Sequence, residues 1–412
     1  MSKQINIGLF GFGCVGQGLW KILEQRKPAG ISIKKICVKN PMKPRPLPTE
    51  YFTFNPDDLL SDDSIDVIVE LIDDAHAAFA ILKEALKKGK HVVTANKKML
   101  AENLEEIIRL QKKHNRSVLY EAAVCGSIPV IRTLEEYYAH EDIVSLEGIF
   151  NGSTNYILTR VLEEKLTYTE ALREAQQLGF AEANPLLDVE GIDPQYKLSI
   201  ALLHAHGLLV RPEDIPVSGI SRIGSEEAEF ARQHRFALKL VVRALRRENQ
   251  VSAWVLPQFV SSAHQLAGIR HEFNAVQLTG NFAGRQLLTG KGAGSLPTAL
   301  AVFSDIVSLQ NDYRYNYRKL ATSTGLHFSN DVVVTAWIWF DGNRAAAWQV
   351  FRRVMGGYAH AEGQVIIGEI VLGHLAALLA DKHVRVVLFP DDCEINLLPA
   401  TGSGALHEAA VA

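Results

Sequence analysis

The stretch Ile5-Asn-Ile-Gly-Leu-Phe-Gly-Phe-Gly-Cys-Val-Gly-Gln-Gly-Leu-Trp-Lys-Ile-Leu23 decides the fold. Its first six residues are a short apolar run, suited to a strand buried in a parallel sheet. Its last seven place apolar side chains at helical spacing. Between them Gly11-Phe12-Gly13-Cys14-Val15-Gly16 is a GxGxxG pattern in the context it requires: strand, tight turn, helix. Gly11 permits the turn, Gly13 lets the backbone approach a pyrophosphate, and Gly16 lets helix and strand pack closely. The helix start then offers its first amides to the phosphates. The bland alternative is a structural glycine loop, which the placement directly after the first strand disfavours.

The next strand reads as Ile31 to Val38. An acidic residue at its end would bind a ribose hydroxyl and favour NAD. Lys39-Asn40 stand there instead, with Lys43 and Arg45 close behind. These basic groups suggest NADP, whose 2′-phosphate they can face. They also suit loop charges directed at water, so NADP and NAD both stay open. Ile65 to Ile72 is another buried strand, Ala75 to Lys90 a helix, and His91 to Ala95 a strand. Asn96-Lys97-Lys98 sits just past that strand's C-terminal end, where ligands bind in doubly wound sheets. Helix Glu102 to His114 and strand Ser117 to Glu121 complete the alternation. Ala122 to Pro129 is a glycine-containing turn entering a helix, Val130 to Tyr138. Cys125 in that turn has no histidine nearby in sequence and reads as a small packing residue.

A second unit begins with strand Ser145 to Phe150. The turn Asn151-Gly-Ser-Thr-Asn155 precedes a helix, Tyr156 to Lys165, with Ser153 or Thr154 as its cap. Helix Thr169 to Leu178 leads into Leu178-Gly-Phe-Ala-Glu-Ala-Asn-Pro-Leu-Leu-Asp-Val-Glu-Gly-Ile-Asp-Pro-Gln-Tyr-Lys197. Asp193 followed by Pro194 reads as a cap with proline in the first helical position. Lys197 lies four residues on, within reach of Asp193. A lysine near the positive end of a helix is poorly placed for stability, which hints at a function. A solvated acidic loop is the competing reading. Strands follow at 237–246, 251–257, 275–280 and 282–288, then a glycine-rich loop, 290–297, opening a helix, 298–309. After Gln310 a small α/β pattern appears: strand 332–340, helix Arg344 to Val354, strand 364–372, helix 374–380, strand 384–389 and a loose tail.

Composition bounds the rest. The chain has 412 residues, 47% of them hydrophobic, enough for two or three domains with real cores. A net charge of -3 without a basic stripe argues against nucleic acid as a partner. Cys14, Cys37, Cys125 and Cys393 show no paired spacing, which suggests a reducing compartment. With no signal peptide and no apolar stretch of spanning length, a cytoplasmic protein without membrane contact is expected.

Taken together, the motifs resemble homoserine dehydrogenases. The resemblance rests on the glycine fingerprint, Val93-Thr-Ala-Asn-Lys97, Tyr120-Glu-Ala-Ala-Val-Cys-Gly-Ser-Ile-Pro129, Gly148-Ile-Phe-Asn-Gly-Ser-Thr-Asn-Tyr-Ile157, Gly179-Phe-Ala-Glu-Ala-Asn-Pro185, Asp188-Val-Glu-Gly-Ile-Asp193 with Lys197, and Gly292-Ala-Gly-Ser-Leu-Pro-Thr298. These occur in the family's order over residues 5 to about 310. The implied reaction is the reversible NAD(P)H-dependent reduction of L-aspartate 4-semialdehyde to L-homoserine, within threonine, methionine and isoleucine biosynthesis. The resemblance implies Lys197 and Lys97 as catalytic lysines, Lys197 being the proton donor and acceptor, with Asp193 beside it. It implies Glu182, Gly179, Asp188 and Asp193 on the substrate side. It implies Gly11, Phe12, Gly13, Cys14, Val15, Gly16, Thr94 and Lys97 on the coenzyme side. Glu121 with the carbonyls of Val124, Gly126 and Ile128 matches the family's site for a monovalent cation such as sodium.

The implied fold is α/β: an N-terminal Rossmann-type doubly wound parallel sheet over 1–135, a second α+β catalytic and dimerisation domain over 136–296, and a small C-terminal α/β module over 320–398. Helix 297–312 is expected to pack back on the first domain, and the protein to form a homodimer through the second. The C-terminal module sits where many relatives carry an effector-binding ACT domain; a degenerate ACT-like unit is one reading of it. Phe340-Asp-Gly-Asn-Arg344 departs from the usual ACT loop, so feedback by threonine stays open. Two other departures stand out. Asp73-Asp74 replace a glycine pair after the Val-Glu strand, and Gly126-Ser127 replace one before Ile128-Pro129.

Hydride transfer to an aldehyde leaves negative charge on oxygen, which needs a proton or cation nearby. A lysine, with an unperturbed pKa of about 10.4, is ordinarily charged and ready as the acid. Homoserine oxidation, which needs that lysine neutral, is therefore expected to speed up at alkaline pH. Two readings of other classes compete: a phosphorylating semialdehyde dehydrogenase using Cys125 as nucleophile, and a non-catalytic dinucleotide-binding regulator.

Overall fold

A computed structural model describes residues 3–341, 349–359 and 363–390. The chain opens with β1 (Ile5–Phe10), α1 (Cys14–Arg26), β2 (Ile31–Cys37), β3 (Phe52–Thr53), α2 (Asp57–Leu60), β4 (Val67–Glu70), α3 (Ala75–Lys87), β5 (His91–Thr94), α4 (Lys97–His114), β6 (Val118–Leu119) and α5 (Val130–Arg132). It continues through β7 (Ile143–Ile149), α6 (Gly152–Glu163), α7 (Tyr168–Gln177), α8 (Leu186–Val189), α9 (Ile192–His206) and α10 (Ser225–Gln233). Then come β8 (Phe236–Arg247), β9 (Gln250–Ser261), β10 (Phe273–Gly280), β11 (Gly284–Lys291), α11 (Ser295–Leu309) and α12 (Arg318–Thr322). The last elements are β12 (His327–Phe328), β13 (Val333–Asp341), β14 (Phe351–Ala359), β15 (Gly363–Val371), α13 (Leu372–Leu379) and β16 (Val384–Leu388). These elements form two compact units: Met1–Asp142 with Ser199–Pro212 and Thr289–Thr324, and Ile143–Leu198 with Glu213–Leu288 and Gly325–Ala412.

The first unit is built on a parallel sheet in the order β3-β2-β1-β4-β5-β6. The doubly wound Rossmann arrangement expected from the sequence is present. Its strands are short and apolar because both faces are covered by helices; β4 is buried along its whole length. Strand order reverses between β1 and β4, which makes their carboxyl ends the topological switch point. Phe10 pairs with Glu70 there, and Glu70 with Thr94 of β5. Helix α11 belongs to this unit and lies against α1, where a Cβ on Gly18 would come within 2.6 Å of Ser295 O.

The second unit carries a ten-stranded mixed sheet, β11-β10-β7-β8-β9-β16-β13-β15-β14, with β12 beside β9. Strands β8 and β9 pair antiparallel from Phe236↔Ser261 to Arg247↔Gln250. The C-terminal strands follow the order fourth, first, third, second, and each neighbouring pair is antiparallel. They are continuous with the rest of the sheet through a parallel pairing of β16 with β9 at Leu388↔Gln258. Trp254 and Leu256 of β9 share one buried cluster with Ala336, Ile338 and Phe340 of β13 and Val386 of β16.

One expectation for this region fails. The sequence pattern predicts a helix at Arg344 to Val354. Residues 351–354 instead begin strand β14, and 344–348 lie outside the described residues. The register of β14 on β15 shifts twice, between Phe351 and Arg353 and between Val354 and Gly356. Such bulges break the alternation by which a strand announces itself. The expected tail after Leu398 also lies outside the described residues. Among the described residues, no helix is long and apolar enough to cross a membrane.

Candidate active site

The glycine fingerprint is sterically determined. Gly11 has φ +92°, and a Cβ there would lie 2.5 Å from Leu71 O; one on Gly16 would lie 2.5 Å from Gly11 O. Both positions therefore exclude side chains. A Cβ on Gly13 would meet nothing within 4 Å, which leaves the backbone open to a ligand. Gly13 also caps α1 with no side-chain acceptor, so the first amides keep their capacity for phosphate oxygens. Phe12 is buried, with its ring 5.4 Å edge-on from Phe52, and Cys14 is exposed in the first turn. Beyond β2, Lys39 and Lys43 are exposed. Arg45 is tied to its own loop, donating to Lys43 O and Asn40 O at 2.9 and 2.5 Å.

At the carboxyl end of β5, Thr94 is fully buried and Lys97 half-buried. Helix α4 starts at Lys97, earlier than expected, because Asn96 caps it: Asn96 Oδ1 accepts from Met99 N at 2.9 Å. Asp74, of the pair that departs from the family, is likewise a helix cap, accepting from Ala77 N at 3.0 Å. That bond holds its carboxyl below the usual range.

In the second unit the end of β7 organises the acid/base groups. Asn151, not Ser153 or Thr154, caps α6: its Oδ1 accepts from Thr154 N at 2.9 Å. The Asn151 amide nitrogen donates to Asp188 Oδ1 at 2.7 Å and to Asp193 Oδ2 at 2.9 Å. Lys197 Nζ donates to Asp193 Oδ2 at 2.7 Å and to Phe150 O at 2.6 Å. The two side chains of that ion pair are 8% and 4% exposed. Ser153 Oγ donates to Phe180 O at 2.5 Å and Asp188 Oδ2 at 3.4 Å, so it braces the loop rather than the helix. Asp193 lies inside the first turn of α9 rather than at its cap, because its carboxylate is committed to Lys197 and Asn151. Glu182 and Gly179 lie exposed on the loop between α7 and α8. Gly179 turns that loop with φ +76°. Asp188, Asp193 and Lys197 are thus brought together, while Glu182 stands in open loop.

Glu121, after β6, is a buried acid. Its two oxygens accept from Ile131 N and Arg132 N, each at 2.9 Å. Burial and, less so, the neighbouring Asp305 push its carboxyl up to about 8. Asp305 accepts from Glu121 N and from Arg132 Nη2, each at 2.9 Å, and burial raises it to about 6. Cys125 and Gly126 both adopt positive φ, at 56° and 55°, and turn the backbone that carries the Val124, Gly126 and Ile128 carbonyls. Cys125 is fully buried, which leaves no approach for a substrate to its sulfur.

Asn96, Asn151, Arg132, Asp305 and Glu70 hydrogen-bond to residues the sequence points to, and the sequence itself assigns none of the five a role. An asparagine just before each helix was a readable cap signal for the first two. Arg132 and Asp305 meet Glu121 only through tertiary packing.

Known proteins resemble this chain over most of its length. Residues 11–121 match the family described as "Homoserine dehydrogenase, NAD binding domain", and residues 129–307 the one described as "Homoserine dehydrogenase". The Bacillus subtilis homoserine dehydrogenase is 38% identical over 321 residues, 76% of this chain and 74% of that protein. The Helicobacter pylori homoserine dehydrogenase is 37% identical, covering 75% of this chain and 74% of that one. A crystal structure of a homoserine dehydrogenase from Thiobacillus denitrificans superposes with a TM-score of 0.81 at 28% identity, over 95% of this chain and all of that one. A hyperthermophilic archaeal homoserine dehydrogenase in complex with NADPH gives 0.65 at 27% identity, over 76% of this chain and 99% of that one. The chain belongs to the homoserine dehydrogenase family, whose reaction is the reversible NAD(P)H-dependent reduction of L-aspartate 4-semialdehyde to L-homoserine.

Proposed function

We propose that Lys197 is the group that gives and takes the proton in that reaction, with Asp193 as its partner. The observation that carries this reading is the buried Lys197–Asp193 pair, clamped by Asn151 and Phe150 O. When bound, the reduced nicotinamide supplies a hydride to the aldehyde carbon. Lys197 holds a proton at Nζ and passes it to the oxygen as negative charge develops, then recovers one from solvent. In homoserine oxidation the same nitrogen accepts the hydroxyl proton. Asp193 keeps the ammonium aimed and balances its charge. Asp188, steadied by Asn151 and Ser153, and Glu182 on the loop between α7 and α8 supply carboxylates for the substrate ammonium. Lys97, at the start of α4, serves the coenzyme and substrate oxygens.

The coenzyme lies on Gly11, Phe12, Gly13, Cys14, Val15 and Gly16, with Thr94 and Lys97 at the neighbouring strand end. NADP is the preferred form in this reading, because Lys39 and Lys43 are exposed beside β2, where an acid would select NAD. A monovalent cation such as sodium at the turn after Glu121 would draw mainly on the carbonyls of Val124, Gly126 and Ile128. The Glu121 oxygens already serve two amides, although a cation beside that buried acid would also favour its ionised form. A cytoplasmic homodimer built through the second unit, with an ACT-like C-terminal module, completes the reading. The fourth-first-third-second strand order, the split β-α-β arrangement, supports that last point.

The test is homoserine oxidation followed by coenzyme absorbance, with NADP and with NAD, for wild type and Lys197→Ala. The variant is expected to lose about 10²-fold or more in kcat with its circular dichroism unchanged. A loss confined to KM overturns the role of Lys197. A higher kcat/KM with NAD overturns the coenzyme preference.

A further inference from the structure

Glu70 is a carboxyl that the mechanism above does not use, yet it is fully buried at the switch point itself. It is the last residue of β4, paired on one side with Phe10, which precedes the glycine fingerprint, and on the other with Thr94. Its hydrogen bonds close a ring. Ile72 N donates to Glu70 Oε1 at 2.7 Å, and Thr94 Oγ1 meets Glu70 Oε2 at 2.6 Å. Asn96 N donates to Thr94 Oγ1 at 3.0 Å, and Asn96 Nδ2 returns to Ile72 O at 3.0 Å. The ring joins the two chain segments that leave β4 and β5, immediately before Lys97.

A buried carboxyl is costly unless it is fully hydrogen-bonded. An apolar residue would fill a parallel strand end without that cost, so here the cost is offset by the hydrogen bonds the acid makes. We propose that Glu70 is a positioning residue for hydride transfer: through Thr94 and Asn96 it fixes the two carboxyl-end turns against which the nicotinamide half of the coenzyme rests. This rests on the reading of Thr94 and Lys97 as coenzyme-side groups. Burial, and to a lesser degree Asp73 beside it, raises the Glu70 carboxyl to about 7. Its protonation decides whether the Thr94 hydroxyl hydrogen is spent on the carboxylate or left for another acceptor. The buried acid thereby couples proton uptake to the shape of that edge.

The experiment measures coenzyme Kd by fluorescence titration, and kcat and both KM values, for Glu70→Ala, Glu70→Gln and Lys97→Ala from about pH 5.5 to 9. In Glu70→Ala the ring opens, and coenzyme Kd is expected to rise about tenfold or more while KM for homoserine stays within about twofold. Glu70→Gln can still accept from Ile72 N, so it should recover most of that affinity. It should also lack the bend near pH 7 expected in the wild-type coenzyme Kd from the raised Glu70 carboxyl. If Glu70→Ala fails to fold, the glutamine variant and its pH profile carry the test alone. Coenzyme Kd unchanged in Glu70→Ala, or a glutamine variant with the wild-type bend, overturns the proposal. If Lys97→Ala also leaves kcat and coenzyme Kd unchanged, it is the underlying coenzyme-site reading that fails.

Discussion

Replacing Asp193 by alanine removes one side of an ion pair held at 2.7 Å and 4% exposed on the acid side. Among the described residues Lys197 Nζ then keeps Phe150 O alone as acceptor, 2.6 Å away, and Asn151 loses one of its two carboxylate acceptors. Leaving a buried charge unpaired costs about 3–5 kcal/mol, far more than the net worth of the intact pair. In a unit of this size, at about 2–4 °C per kcal/mol, that corresponds to a drop in melting temperature of roughly 6–20 °C. The same change frees the ammonium to swing, and kcat for homoserine oxidation should fall about 10²-fold. Asp193→Asn keeps an acceptor oxygen toward Lys197 and should lie between the two. The decisive assay is a double-mutant cycle with Lys197→Ala, read by thermal melts and by kcat. Removing both partners relieves the unpaired charge, so the double variant should be more stable than the sum of the singles by about 1–3 kcal/mol. Additive melts, or an Asp193→Ala enzyme with kcat within about threefold of wild type, would refute the argument that this pair is a tuned catalytic unit.

Further outcomes are expected. Glu182→Gln should raise KM for homoserine about tenfold or more while leaving the fold and coenzyme Kd intact, since Glu182 is exposed and the role proposed for its carboxylate is toward the substrate ammonium; steady-state kinetics check this. Asn151→Ala should lower both stability and kcat, because one amide caps α6 and clamps Asp188 and Asp193; the cap alone contributes about 1 kcal/mol, read from urea melts. His91, at the start of β5, is held neutral: burial first, then Arg116 and Lys3, lower it from 6.5 to about 4. The unfolded chain takes up that proton first, so stability should fall as pH drops from 6.5 toward 4, and His91→Gln should flatten the loss in pH-dependent melts.

The fingerprint from Ile5 to Leu23 carried its own fold, because local rules decide it. A buried parallel strand needs an unbroken apolar run, Gly11 and Gly16 leave no room for a Cβ, and the helix follows at once. The pair Asp193–Lys197 was legible for the same reason, since a spacing of four on a helix sets side chains together. The tertiary structure decided the rest, through contacts distant in sequence. Asn151 reaches Asp188 and Asp193 across about forty residues, and Arg132 meets Asp305 across more than a hundred and seventy. Glu70 acquires its ring only when β4 and β5 lie side by side. Strand β14 forms because β15 offers it a ladder, whatever its own residues prefer. Local sterics and helical spacing are written in neighbouring residues; burial and long-range hydrogen bonds exist only once the chain has closed on itself.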